Sequence, residues 1–157
     1  RKNVVRINSK NKINNMKKKL VLKNIIIILI SLLYFSNATY SENVEVLDIS
    51  SGAVEIDLSK GQSFTLTVDE SVTQFNLVNP PSGSTAFTVK ILQDSTGYSV
   101  GIDTFKDNGG STIPVYWPGG GVVPIVTQTA SKTDVYSFMT FDGGSSLFGV
   151  VGGQNFA

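Results

Sequence analysis

Two residue types are missing from this 157-residue chain altogether, cysteine and histidine. Without Cys there is no disulfide, no thiolate nucleophile and no Fe–S ligation. Without His the usual general base at neutral pH is gone, and so is the commonest zinc ligand. Arginine does not occur after Arg6, and acidic residues do not occur before Glu42. The two halves are therefore unlike. The first 41 residues hold nine basic side chains and no acidic one, whereas residues 42–157 hold four basic against twelve acidic, net −8. So sharp an asymmetry marks a targeting segment joined to a folded body. A body of net −8 without Arg repels phosphate backbones, so nucleic acid is not an expected partner. Lacking disulfides, that body must be held by its core, which 116 residues are enough to build.

Met16 has the character of a start, because Lys17, Lys18 and Lys19 follow it as a positive n-region. Residues 25–35 are an apolar run of eleven, the length of a signal-peptide h-region and too short for a spanning helix. Small residues at Ser36 and Ala38, or at Thr39 and Ser41, offer cleavage sites. No Cys follows to carry a lipid. A retained anchor is the other reading, but Lys23 and Asn24 interrupt the longer apolar stretch that it needs. The expectation is residues 1–15 as upstream or disordered sequence, 16–41 as a signal peptide and 42–157 as an exported domain with no membrane attachment after cleavage.

Beyond Glu42 apolar and polar residues alternate with period two, the pattern of half-buried strands. Val54, Ile56 and Leu58 share a phase, as do Phe64, Leu66 and Val68, then Phe75 and Leu77, then Phe87, Val89 and Ile91. Further strands are expected at residues 98–102, 122–126, around Tyr136 and Phe138, and from Leu147 to Val151. The turn at residues 79–83 contains Pro80 and Pro81, which no central strand accommodates. Asp142-Gly143-Gly144 reads as a hairpin turn with glycine at positive φ. Residues 106–121 are the longest break in the alternation. Short strands punctuated by Gly and Pro predict an all-β domain: an antiparallel two-sheet β-sandwich, jelly-roll-like, of about eight strands. Phe64, Leu66, Phe75, Phe87, Val89, Ile91, Tyr136 and Phe138 are expected to line one core.

The order of the C-terminal motifs carries a resemblance. Trp117-Pro118-Gly119-Gly120, Asp134-Val135-Tyr136-Ser137-Phe138, Asp142-Gly143-Gly144 and the closing stretch from Gly149 to Phe156 follow one another. With the earlier Asn79-Pro80-Pro81-Ser82-Gly83-Ser84 turn and the Ile91 to Thr96 stretch, this series resembles the C-terminal β-domain of tail-fibre and other virion structural proteins of tailed bacteriophages, marine ones especially. Thr104-Phe105 stands where such domains often carry Trp-Pro, and Leu147-Phe148 where they tend to have Trp or Tyr. The resemblance implies a structural or receptor-binding module that partners other virion or fibre subunits, homo-trimers included, or a cell-surface glycan. A signal peptide is unusual for a virion part. The alternative is therefore a secreted carbohydrate-binding or adhesin domain of a bacterium, and the location is either exported or the virion surface.

Tyr116 and Trp117 are the candidate ligand-binding residues, since aromatic loops stack on sugar rings. The competing reading makes Trp117 a core plug, which is the commoner fate of a single Trp and the favoured one here. Glu55, Asp57, Asp69 and Glu70 fall on outward phases or turns, and Asp94, Asp134 and Asp142 at positions where Asp bonds its own backbone. No pair of carboxylates is brought together by the pattern, so no catalytic residue is assigned. Residues 103–108 offer oxygen donors but lack the spacing of a calcium loop. No metal and no cofactor is expected.

Overall fold

The computed structural model describes residues 16–23 and 43–157. The segment 1–15, the apolar run 25–35 and the expected cleavage positions between Ala38 and Ser41 lie outside the described residues. The chain divides into two units, Arg1–Ser41 and Glu42–Ala157. In the first, residues 16–23 are an exposed helix. Among the described residues no helix is long and apolar enough to cross a membrane.

The second unit is all β. Its strands are β1 (Val44–Leu47), β2 (Ile49–Ser50), β3 (Ala53–Asp57), β4 (Ser63–Val68), β5 (Gln74–Val78), β6 (Thr85–Gln93), β7 (Phe105–Lys106), β8 (Thr112–Ile113), β9 (Val115–Tyr116), β10 (Thr133–Thr140) and β11 (Leu147–Phe156). A larger sheet has the order β1-β4-β6-β10-β11-β9, and a smaller one β2-β3-β5-β7-β8.

Neither sheet is antiparallel throughout. From β3 to β6 the chain passes from one sheet to the other at every turn, so strands that are neighbours in a sheet are not neighbours in sequence. Thus β1, β4 and β6 are parallel, as are β3, β5 and β7, while β6–β10 and β10–β11 are antiparallel. The expected jelly-roll-like antiparallel pairing is corrected to mixed sheets of eleven strands. Alternation specifies which side chains face the core, and it does so identically whether the next strand pairs beside its predecessor or crosses to the other sheet.

Two expected strands are not formed. Residues 98–102 wrap around Val72 instead: Val72 N–H donates to Ser99 O, and Gly101 N–H donates to Val72 O, both at 2.9 Å. The buried Gln93 amide stands in for a strand partner, accepting from Tyr98 N–H at 2.7 Å and donating to Tyr98 O at 2.9 Å. Ile102 still reaches the core, so its alternation recorded burial rather than extension. Residues 122–126 also lack regular pairing, and strands β8 and β9 lie in the stretch expected to be irregular.

All eight expected core residues are buried in one cluster to which both sheets contribute. Its centre is aromatic. Phe87 stacks on Phe138 with ring centroids 5.2 Å apart, Phe105 of the smaller sheet meets Phe138 at 4.9 Å, and Phe75 stacks on Phe105 at 5.2 Å. Register explains the first pair, because Phe87 and Phe138 lie opposite one another on β6 and β10.

One charge is buried with them. Asp134 occupies the inward phase of β10 and is 1% exposed. It accepts hydrogen bonds from the backbone N–H groups of Thr127 and Asn155, both at 2.8 Å, and from the Tyr136 hydroxyl at 3.1 Å. Burial pushes its carboxyl up, but N–H donation from Thr127 and Asn155 outweighs this and leaves it below the usual carboxylate range. Burial and the Asp134 charge push the Tyr136 phenol well up. A depressed folded pKa contributes stability that is present above the unfolded value, about 4, and lost as pH falls through the folded value. Asp134→Asn should therefore lower stability at neutral pH by about 1 to 3 kcal/mol. It should also flatten the acid limb of the stability profile, a comparison made by denaturant titration at neutral and acid pH. An acid limb as steep as wild type would mean that Asp134 carries none of it.

Candidate recognition surface

The Gly-rich stretch that carries both candidate aromatics is built by alternation. Tyr116 ends β9 and Trp117 continues it in extended backbone, so their side chains leave on opposite sides. Trp117 turns inward and is 6% exposed, edge-on to Tyr136 and Phe138 at 6.3 and 5.8 Å. Its ring lies against Gly149 of β11, where a Cβ would sit 2.5 Å from Cζ3. The tight turn Pro118–Gly121 follows, with Gly119, Gly120 and Gly121 at positive φ, a conformation that other residues adopt only under strain. The structure thus separates the pair: Trp117 belongs to the core, and Tyr116, 54% exposed, belongs to the surface.

Tyr116 is not alone there. Its ring lies 5.4 Å from that of Phe148 on β11, and Phe148 lies 5.8 Å from Phe141, which leads into the β10–β11 hairpin loop. Phe141 is 67% exposed. Phe141 and Phe148 were not singled out from the sequence. The signal was available, since both fall in the outward phase of strands whose inward phase is already filled by Phe138 and Leu147.

The register extends this triad into a face. Across the outer side of the larger sheet one row reads Ala86, Met139, Phe148, Tyr116. The next reads Val44, Ser63, Thr88, Ser137, Val150, and the third Val46, Thr65, Lys90, Val135, Gly153. Lys90 is the only charge in the three rows. At the centre the Thr88 and Ser137 hydroxyls hydrogen-bond each other at 2.9 Å. The smaller sheet is the opposite: Glu55, Asp57 and Lys106 lie on its strands, and no large exposed hydrophobic side chain does. Apart from Val122, Val123 and Ile125 in the loop after Trp117, every such side chain of this unit belongs to the larger sheet or its hairpin loop.

The carboxylates serve the backbone. Asp57 accepts from Ser59 N–H and Oγ and from Asn79 Nδ2, at 3.0, 2.7 and 2.9 Å. Asp107 accepts from Gly109 and Ser111 N–H, both at 2.8 Å. Asp142 clamps the hairpin loop by accepting from Thr140 Oγ1 and from Ser146 N–H and Oγ. Hydrogen bonds from Asn79 and Ser59 hold the Asp57 carboxyl below its ordinary value, and those from Ser146 and Thr140 do the same for Asp142. A general acid needs the reverse shift. A groove of about 520 Å³ does collect Glu45, Asp48, Glu55 and Asp57, with Lys60 Nζ 3.3 Å from Glu45 Oε1. Among the described residues no group of three potential ligands is arranged to hold a metal ion.

Comparison with protein-family models, with curated proteins and with solved structures finds no match to this chain.

Proposed function

We propose that the folded unit is a non-catalytic, virion-type module, structural or receptor-binding in the manner of a phage tail-fibre domain. On this reading the two sheets stack as a β-sandwich over the Phe75–Phe105–Phe138 layer. The domain is exported or displayed on a virion surface, and it works through contact with other virion or fibre subunits or with a cell surface. The observation that carries the proposal is the outer face of the larger sheet. A rigid sheet with an aromatic core beneath it presents an almost uncharged surface with three exposed aromatic rings at one corner. Exposed aromatic rings gathered at one corner of such a face mark an interaction site. The carboxylates add support, because Asp57 and Asp142 are engaged by turn N–H and hydroxyl groups and held below the ordinary carboxylate value.

The second reading is a secreted carbohydrate-binding or adhesin domain. The Tyr116–Phe148–Phe141 corner favours it, since exposed rings on a fixed scaffold can stack on sugar faces. One experiment tests both readings: binding of the protein to immobilised host envelopes and to a glycan array, for wild type and for Tyr116→Ala and Phe141→Ala. Both side chains are largely exposed, so each variant should keep its melting temperature within a few degrees while losing binding at least tenfold. Full binding by both variants would remove this corner from the site. Glycan cleavage that disappears in Asp57→Asn would defeat the non-catalytic reading.

A further inference from the structure

We infer that Asn108–Gly109, in the turn between β7 and β8, is a site of spontaneous covalent modification, where Asn108 is converted to aspartate and isoaspartate under the restraint of Asp107. The turn belongs to the smaller sheet, apart from the contact surface proposed above.

Sequence supplies the first condition. Asn108–Gly109 is the only Asn-Gly step in the chain. An asparagine side chain closes on the backbone only where the next nitrogen can reach its carbonyl carbon, and glycine, with no Cβ, obstructs that approach least. Exposure supplies the second. Asn108 and Gly109 are both exposed, and among the described residues the Asn108 amide has no hydrogen-bond partner to hold it. A Cβ at Gly110 would meet nothing within 4 Å, so the turn has room for a ring to close. The other described asparagines are obstructed. Asn79 precedes Pro80, whose nitrogen carries no hydrogen, and its amide donates to Asp57 Oδ1 at 2.9 Å. Asn43, Asn76 and Asn155 precede the bulky Val44, Leu77 and Phe156.

The reaction balances with water as its sole co-reactant. The Gly109 nitrogen attacks Asn108 Cγ and forms a new N–C bond. As it does so the Cγ–Nδ2 bond breaks, and the amide nitrogen leaves as ammonia with the proton from Gly109 N–H. Water then opens the cyclic imide. Attack at Cγ gives aspartate, and attack at the main-chain carbonyl gives isoaspartate, whose backbone runs through the former side chain. Either product is a carboxylate at neutral pH and adds a negative charge.

Asp107 opposes the first step. The N–H that must be lost donates to Asp107 Oδ1 at 2.8 Å, and the same oxygen accepts from Ser111 N–H at 2.8 Å. A hydrogen bond to an ionised acceptor is of the stronger kind. Removing that proton would also set two negative charges side by side. The folded turn therefore slows a reaction that its sequence invites. Conversion then loosens the turn. Asp107 N–H donates to Ser111 O and Gly110 N–H to Asp107 O, both at 2.9 Å, and isoaspartate adds a backbone methylene between these partners. The edge strand β8, which carries the buried Ile113, loses its fixed entry. A second carboxylate also enters a cleft of about 390 Å³ in which Asp107 is the only charged lining residue.

The test is timed incubation of the full protein at mildly alkaline pH, folded and in denaturant. Peptide mapping by mass spectrometry locates the product, and enzymatic methyl labelling counts isoaspartate. Product should accumulate at position 108 ahead of every other described asparagine, and faster in the unfolded chain than in the folded one. Asp107→Ala should raise the folded rate about tenfold, the rate equivalent of one lost charge-assisted hydrogen bond. Asp107→Ser keeps a hydroxyl acceptor for the turn but removes the charge, so its rate should lie between those two. Asn108→Gln should abolish the product and keep the melting temperature. An intact position 108 in both folded wild type and folded Asp107→Ala would overturn the site. Equal rates in wild type and Asp107→Ala, or a folded rate as fast as the unfolded one, would overturn the restraint by Asp107.

Discussion

Replacing Phe87 by Ala is expected to cost about 3 to 5 kcal/mol of folding stability, the range for a fully buried Phe. Phe87 is 1% exposed and sits where four strands meet. Its ring stacks on Phe138 at 5.2 Å, meets Phe64 edge-on at 6.2 Å, and reaches Phe105 of the other sheet at 6.4 Å. Truncation opens a space beside Phe64, Phe138 and Phe105, whose strands are held by their own hydrogen bonds and cannot close over it without breaking pairs. Collapse around the cavity is therefore limited, which places the cost in the upper part of the range. The fold has no disulfide to limit the loss, since the chain has no Cys. Thermal and denaturant unfolding of the variant measure it. A loss below about 1 kcal/mol would mean that the aromatic layer is not the structural centre.

The second large effect concerns Trp117. Trp117→Ala is expected to cost about 3 to 5 kcal/mol as well, while Tyr116→Ala, one residue away, should cost less than about 1 kcal/mol. Gly149 gives the pair a sharper test. A Cβ at that position would lie 2.5 Å from Cζ3 and 2.6 Å from Cη2 of the Trp117 ring. Gly149→Ala should therefore destabilise wild type by about 1 to 3 kcal/mol through overpacking. In the Trp117→Ala background the obstruction is gone, so the added methyl should be neutral or stabilising. A double-mutant cycle measured by unfolding reads this coupling directly. Additive losses would show that the indole does not rest on Gly149. If Trp117→Ala left the melt unchanged and abolished surface binding instead, the loop reading of Trp117 would return.

Much of the interior was legible from residues alone. The phase of Phe64, Leu66, Phe75, Phe87, Val89, Ile91, Tyr136 and Phe138 is a local property, because successive side chains of an extended chain alternate sides whatever the chain pairs with. The turns were legible for the same reason: Pro80-Pro81 cannot pass through a central strand, and Gly143 and Gly144 adopt the positive φ, 70° and 87°, that their turn was expected to need. Charge segregation and the absence of Cys and His also belong to the sequence alone.

What the sequence could not decide is which strand lies beside which. Period two is the same for a hairpin and for a crossing between sheets, so parallel β4–β6 and antiparallel β6–β10 look alike until the chain is folded. Residues 98–102 alternate yet form no strand, since Val72 and the Gln93 side chain satisfy their backbone groups instead. The candidate surface depended on the same missing information. Tyr116, Phe141 and Phe148 are separated by up to 32 positions, and only the β9–β11 register and the hairpin bring their rings together. Tyr116 and Trp117 make the division plainest: the sequence favoured Trp117 as a core plug, which its burial bears out, but the partners of Tyr116 on the surface required the β9–β11 register.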